Sequence, residues 1–266
     1  MKTRRTVIIL FTGIGLVVIA AFLFTDTKTD SPPPPPGTEP TERTFPELPP
    51  YPSLAPPTTD LFGNRLEVPA AESGVALRQD PASRPDPKRT DYLSAAPARM
   101  QWQQGWGGAA LPVSGSDGPA CIADGIASGF AHTPQGAALA AADALARALA
   151  APEGIWQQGI RHRFYGTTTQ INSLTSRFDR SRRSTPEPAR YVVVPDGIRV
   201  QAGYQPDFAI VQLASRDRTG YAYASWPMAW VEGDWRIRIP ADPETFWGPP
   251  TPIIGLSDFG NWKSTS

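Results

Sequence analysis

The sequence predicts an α+β protein: an N-terminal transmembrane helix, a disordered proline-rich stalk, then helices packed on a curved antiparallel sheet. Three observations predict it. Residues 6–24 form an apolar run without a charge. Between Thr133 and Arg182 apolar residues recur at helical spacing. After Pro186 and Pro188 the period switches to the alternation of half-buried strands. Helices followed by a run of strands is the α+β arrangement.

The apolar run, Thr6 to Phe24, holds nineteen residues. At a rise of 1.5 Å each they cover about 28 Å, close to the ~30 Å hydrocarbon core. Lys2, Arg4 and Arg5 precede it; Asp26, Lys28 and Asp30 follow. The positive-inside bias makes residues 1–5 a cytoplasmic stub and puts the chain after Asp26 outside the cell membrane. A cleaved secretory signal is the rival reading. Its apolar region would run about 7–15 residues and end at a small-x-small site, which Phe22–Asp26 does not offer. An uncleaved single-pass anchor is expected.

Residues 25–98 read as linker. Twelve of the 31 prolines fall within residues 31–57, five of them consecutive at Pro32–Pro36. Such a stretch favours polyproline II and could reach on the order of 80 Å at ~3.1 Å per residue. Leu61–Val68 is an apolar island inside this linker. It docks either on its own domain or on a neighbour, and the sequence leaves both open.

The extracytoplasmic domain is expected over residues 99–240. Trp102, Trp106 and Ala109–Leu111 suggest a short strand pair or an aromatic-packed loop, and Leu111–Pro119 is a string of turn formers. Thr133-Pro134 reads as N-cap and N1 of a helix over Gln135–Ala150. Its Asp143 and Arg147 form an i,i+4 pair expected on the wet face. Further helices are expected over Glu153–Phe164 and Thr169–Arg182. Strands follow at Tyr191–Val194, Ile198–Tyr204, Phe208–Ala214, Tyr221–Glu232 (bulged at Pro227) and Trp235–Ile239. Residues 241–266 form a tail of prolines, glycines and aromatics. Its Phe246, Trp247, Phe259 and Trp262 either dock back or await a partner.

Composition excludes several activities. Lys plus Arg and Asp plus Glu each number 25, so the basic excess that phosphate neutralisation needs is missing and no nucleic acid is expected. A lone Cys121 excludes an internal disulfide framework and is expected as a small buried hydrophobe. With two histidines beside it, no soft-ligand zinc site is expected. Asp124 and His132 could pair for acid/base work in a pocket, although capping or packing at the helix entry is the plainer reading of His132. His162, between two arginines, reads as a surface residue. Arg161, Arg163, Arg177, Arg180, Arg182 and Arg183, with Arg190 nearby, form the candidate interaction patch; a solvated helix face is the plainer reading. No catalytic, cofactor-binding or metal-ligating residue is assigned, and a non-enzyme is expected.

The stretches Leu111–Pro119 and Gly129–Ala141, with Asp60–Asn64 and Gly233-Asp234-Trp235, carry a resemblance to actinobacterial membrane-anchored proteins of uncharacterised function that accompany integrative conjugative elements. In layout the chain is also similar to inner-membrane scaffold subunits of type IV secretion systems, whose domains are nuclear-transport-factor-2-like. The resemblance implies a cone-like curved sheet and a scaffold in a cell-envelope assembly, with the membrane and other envelope or secretion proteins as partners. A homo-oligomer fits the same layout. The alternatives are an extracytoplasmic ligand-binding or enzymatic domain using a pocket near His132, and a wall-associated spacer.

Overall fold

A computed structural model describes residues 55–218 and 220–264. The expected stub, membrane span and first part of the linker lie outside the described residues. Among the described residues no helix is long and apolar enough to cross a membrane.

Three helices pack on sheets in a mixed α+β arrangement. The central helix α1, Pro134–Ala150, starts where Thr133 accepts a hydrogen bond from the Gly136 N–H, and every residue from Pro134 to Leu149 is buried. Nine alanines in this helix let neighbours approach on all sides, so a helix without a polar face is stable at the centre of the molecule. Helices α2 (Ile155–Arg163) and α3 (Thr168–Ser184) follow. Helix α3 is opened by a capping box in which Thr167 and Gln170 exchange side-chain bonds to each other's backbone N–H.

One sheet has the order β1-β2-β3-β4, from β1 (Ala55–Thr59), β2 (Arg65–Val68), β3 (Gln101–Gln104) and β4 (Ala110–Val113). Strands β2 and β3 run parallel; the other pairs are antiparallel. A two-stranded hairpin, β5 (Cys121–Ala123) and β6 (Ile126–Ser128), stands apart. The larger sheet has the order β7-β11-β10-β9-β8, with β12 also on β10. Its strands are β7 (Phe164–Tyr165), β8 (Gly197–Val200), β9 (Phe208–Asp217), β10 (Gly220–Val231), β11 (Asp234–Arg238) and β12 (Thr251–Ile253). Helix α1 lies between the sheets, touching β4 on one flank and β8, β9 and β11 on the other.

Several expectations change. Residues 55–98, expected as linker, belong to the folded domain: Leu66 is fully buried, and the Asp60 carboxylate takes N–H groups from Phe62, Asn64 and the distant Val194. The apolar island therefore docks on its own domain. The tail docks too, because Phe246, Trp247 and Trp262 supply core volume. The Trp262 indole donates to the Ser94 carbonyl at 2.8 Å, and its carbonyl accepts from the Trp102 indole at 2.8 Å. Tyr191–Val194 is not a strand. A 3₁₀ turn spans Pro188–Tyr191, and the valines after it bridge the sheets, both sides buried.

The long β9–β10 ladder runs through Pro227 opposite Ile210 without a bulge. Counting back from the Val231–Asp234 pair at the hairpin end, the missing N–H of Pro227 faces the β11 side, beyond the last partner pair Met228–Ile237. No ladder bond is lost there, which is why proline is tolerated. Cys121, expected buried, is exposed at the end of the small hairpin.

Candidate functional site

Asp124 and His132 are not brought together. Asp124 and Gly125 are the two left-handed residues of the β5–β6 turn, with φ of 50° and 79°. This is the Asp-Gly pair that a tight hairpin turn demands, so the aspartate serves backbone geometry. The exposed His132 ring stacks on Trp230 with centroids 3.9 Å apart, and its Nε2 meets the Pro206 carbonyl. The two residues share no hydrogen bond or ion pair, and neither lines either of the two grooves described below.

The arginines separate as well. Arg163 is not on the surface: it is 3% exposed, pairs with Asp234 at 2.6 Å, donates to the Trp235 carbonyl and lies over the Phe130 ring. Arg182 stacks on Trp156 and donates to the carbonyls of Ala148 and Ala151, satisfying the last turn of α1. Burial lowers its guanidinium pKa. Arg177 lies over Trp247 and pairs with Glu244, which also meets Arg180. Arg183 pairs with Asp179 and Arg190 with Glu187. Arg161 and Arg182 are the two members of the six with no ion pair among the described residues. Two of the six, Arg177 and Arg180, tie α3 to the tail.

Two polar centres are fully buried. Asp143 and Arg147, expected wet, are 0% and 1% exposed and meet at 2.8 Å; Arg147 also donates to the Gly125 carbonyl and lies over Trp106. An i,i+4 pair has the same spacing on a wet or a dry face, and here the β5–β6 hairpin covers it. Burial pushes the Asp143 carboxyl up, opposed by Arg147 and then Arg163. The second centre is Asp117, which accepts from Thr133 Oγ1 at 2.6 Å and Ser116 Oγ at 2.5 Å while its N–H donates to Ser114 Oγ. This carboxylate locks the Leu111–Pro119 run against the α1 cap, and Arg84 closes it from outside at 3.6 Å. Burial first, and the Asp117 charge second, raise the Tyr92 phenol; burial and then Tyr92 push Tyr204 up to about 12. Among the described residues no cluster of His, Cys, Asp or Glu could hold a metal ion.

Two grooves remain. The first, ≈ 760 Å³, runs between the 83–98 loop and the tail, with Arg84, Asp86, Arg89 and Asp91 on its walls. Its charges largely cancel: Arg89 and Asp91 form a two-bond pair, and Arg84 turns inward to the Ser116 carbonyl. The second groove, ≈ 650 Å³, is apolar and is the candidate site. Tyr165, Phe208, Pro227, Ile239 and Pro240 line it, with Arg238 its one charged residue. Tyr165 on β7 and Arg238 on β11 are register partners, so their side chains leave the same face of the sheet. The Ile239 N–H donates to the Tyr165 carbonyl and Gln170 to the Pro240 carbonyl, which holds the start of α3 against this wall. Gly166 permits the approach, since a Cβ there would stand 3.0–3.2 Å from Gln170 and Ile239.

A family model described as a domain of unknown function, DUF8175, matches residues 67–261. The chain belongs to that family. No curated protein and no solved structure matches it. The DUF8175 region begins inside β2 and runs past Gly260 in the tail, so it takes in the second groove, both buried polar centres and much of the segment first read as linker. The groove residues were missed in sequence because they come from β7, β9, β10 and β11 and carry no shared spacing. Arg238 gave no separate signal, since Arg236 and Arg238 are both ordinary polar positions of an alternating strand.

Proposed function

We propose that this DUF8175 protein is a non-enzymatic scaffold of a cell-envelope assembly, tethered through residues 6–24 and working outside the membrane as part of a conjugative type IV secretion apparatus. The observation that carries the scaffold reading is the second groove. Its walls are aromatic, aliphatic and prolyl, with no carboxylate or histidine among them. That lining suits holding a protein segment by apolar contact and gives acid/base chemistry no purchase. The layout supports the tether: basic flank, nineteen apolar residues, proline-rich spacer, domain. The secretion role rests on the resemblance in motifs and layout, and the nuclear-transport-factor-2-like comparison belongs with it as an analogy of fold.

Deleting the gene in a donor strain and measuring transfer frequency tests the role. Transfer is expected to fall and to return with the intact gene; unchanged transfer removes the conjugation reading. The exposed Cys121 tests the orientation. A membrane-impermeant maleimide should label it in intact cells, and Cys121→Ser should abolish the label. Protection until lysis would reverse the topology.

A further inference from the structure

The second groove opens on one face of the larger sheet, and the ladder registers fix which side chains share that face. Cross-strand partners, and residues two apart along a strand, leave the same side. Arg199 is opposite Gln212, four residues before Arg216, and Arg216 is opposite Tyr221. Further along β10, Ala229 is opposite both Phe208 and Arg236. By this count Phe208, Pro227, Arg236, Arg238 and its partner Tyr165 share a face with Arg199 and Arg216. Three of these four strand arginines have a carboxylate: Arg199 meets Asp258, Arg216 meets Asp196 and Arg236 meets Glu232. Arg238 is exposed and has no ion pair or side-chain hydrogen bond among the described residues.

The backbone of Arg238 is unanswered as well. The Ile239 N–H donates to the Tyr165 carbonyl, so the polar groups of Ile237 and Ile239 face β7 and those of Arg238 face β10. Continuing the Met228–Ile237 register by one residue sets Arg238 opposite Pro227, which has no N–H. The Arg238 carbonyl thus receives no donor from β10. One residue therefore offers a cation and an acceptor beside walls formed by Tyr165, Phe208, Pro227 and Ile239.

We propose that the groove binds an extended segment of another protein that carries one carboxylate among apolar or prolyl residues. The carboxylate pairs with the Arg238 guanidinium, and a main-chain N–H of the segment donates to the Arg238 carbonyl. Its flanking side chains pack on Tyr165, Phe208, Pro227 and Ile239. Charge complementarity selects an acidic partner, because Arg238 is the one charged residue of the groove. The unanswered carbonyl selects a peptide over a fatty acid, whose ionised carboxylate and apolar chain bring no N–H. This inference rests on reading the groove as a site that holds a protein segment, and it names the chemistry of that segment.

The test uses the full chain in lipid nanodiscs, where no detergent competes for an apolar groove. Fluorescence anisotropy measures binding of short labelled peptides of leucine, phenylalanine and proline with a central glutamate, glutamine or lysine. The glutamate peptide should bind wild type about fivefold more tightly than the glutamine peptide, the scale of one exposed ion pair, with lysine weakest. Arg238→Glu should reverse that order. Tyr165→Ala should weaken all three peptides and keep it. Thermal melting monitored by circular dichroism checks that each variant is folded. Absence of peptide binding, equal affinity for the glutamate and glutamine peptides, or an order unchanged in Arg238→Glu would each overturn the proposal. A labelled dodecanoate that binds more tightly than the glutamate peptide would overturn it in favour of a lipid. Self-association of wild type that Arg238→Glu abolishes would overturn it in favour of a second copy. Transfer frequency is a separate readout: a fall on gene deletion without peptide binding sinks this inference and leaves the scaffold reading standing.

Discussion

Asp143 and Arg147 illustrate what a single pair can decide. Breaking a buried pair leaves one charge stranded in the interior, at a cost of about 3–5 kcal/mol. Asp143→Asn or Arg147→Met should each lose that much in urea unfolding, whereas Asp143→Leu with Arg147→Met should recover most of it, because two apolar side chains need no partner there. Tyr204 predicts an alkaline limit. Its folded pKa, about 12, stands above the ordinary value of 10.0. A raised folded pKa means the native state holds the proton more tightly than the unfolded chain. That contribution is complete below pH 10 and is lost as pH rises towards about 12. Phenolate absorbance should show a late-titrating component that shrinks in Tyr204→Phe, and the variant should lose less stability over that pH interval than wild type does. Neither residue announces this in sequence, since an i,i+4 pair and an isolated tyrosine look alike in water and in a core.

At the scale of elements, the C-terminal strap behaves as a structural member. The Gly260 carbonyl accepts from the Ile198 N–H and its N–H donates to the Ile198 carbonyl, extending the sheet beyond β8. A Cβ on Gly260 would stand 1.7 Å from the Ser94 carbonyl oxygen. Gly260→Ala should therefore release the strap, seen as new protease cleavage after Gly255 while Trp247 stays protected. Trp262→Ala removes a buried indole with two hydrogen bonds and should cost about 3–5 kcal/mol. The helices were legible because caps and periodicity are local: Thr133, Pro134 and the Ile171–Leu174–Phe178 spacing suffice. Tyr191–Val194 was not, because an apolar run buried between two sheets has the same composition as a strand.

For the whole molecule, the domain boundary has a direct test. A chain beginning at Ala55 should unfold cooperatively, while one beginning at Arg99 should bind hydrophobic dye and unfold over a broad range. The shorter chain lacks β1, β2 and the 83–98 loop, and with them Leu66, Asp60 and the Ser94 carbonyl that holds Trp262. Between residues 58 and 98 the composition is that of a spacer although the segment is folded. Turns rich in proline and charge look like a spacer until their partners, from 28 residues away at Val75–Gln103 to 168 at Ser94–Trp262, are known.

The helices, the meander and the α+β class followed from the sequence by itself: three helices, an alternating meander after Pro188 and the switch between them are properties of neighbouring residues. The apolar run of residues 6–24 is equally local, and the proposed tether rests on it. The tertiary structure alone decided which charges are dry, where the tail and the supposed linker belong, and that Tyr165, Phe208, Pro227 and Arg238 meet in one groove. Those outcomes depend on which distant surface covers a residue, and burial of that kind leaves no period in the chain.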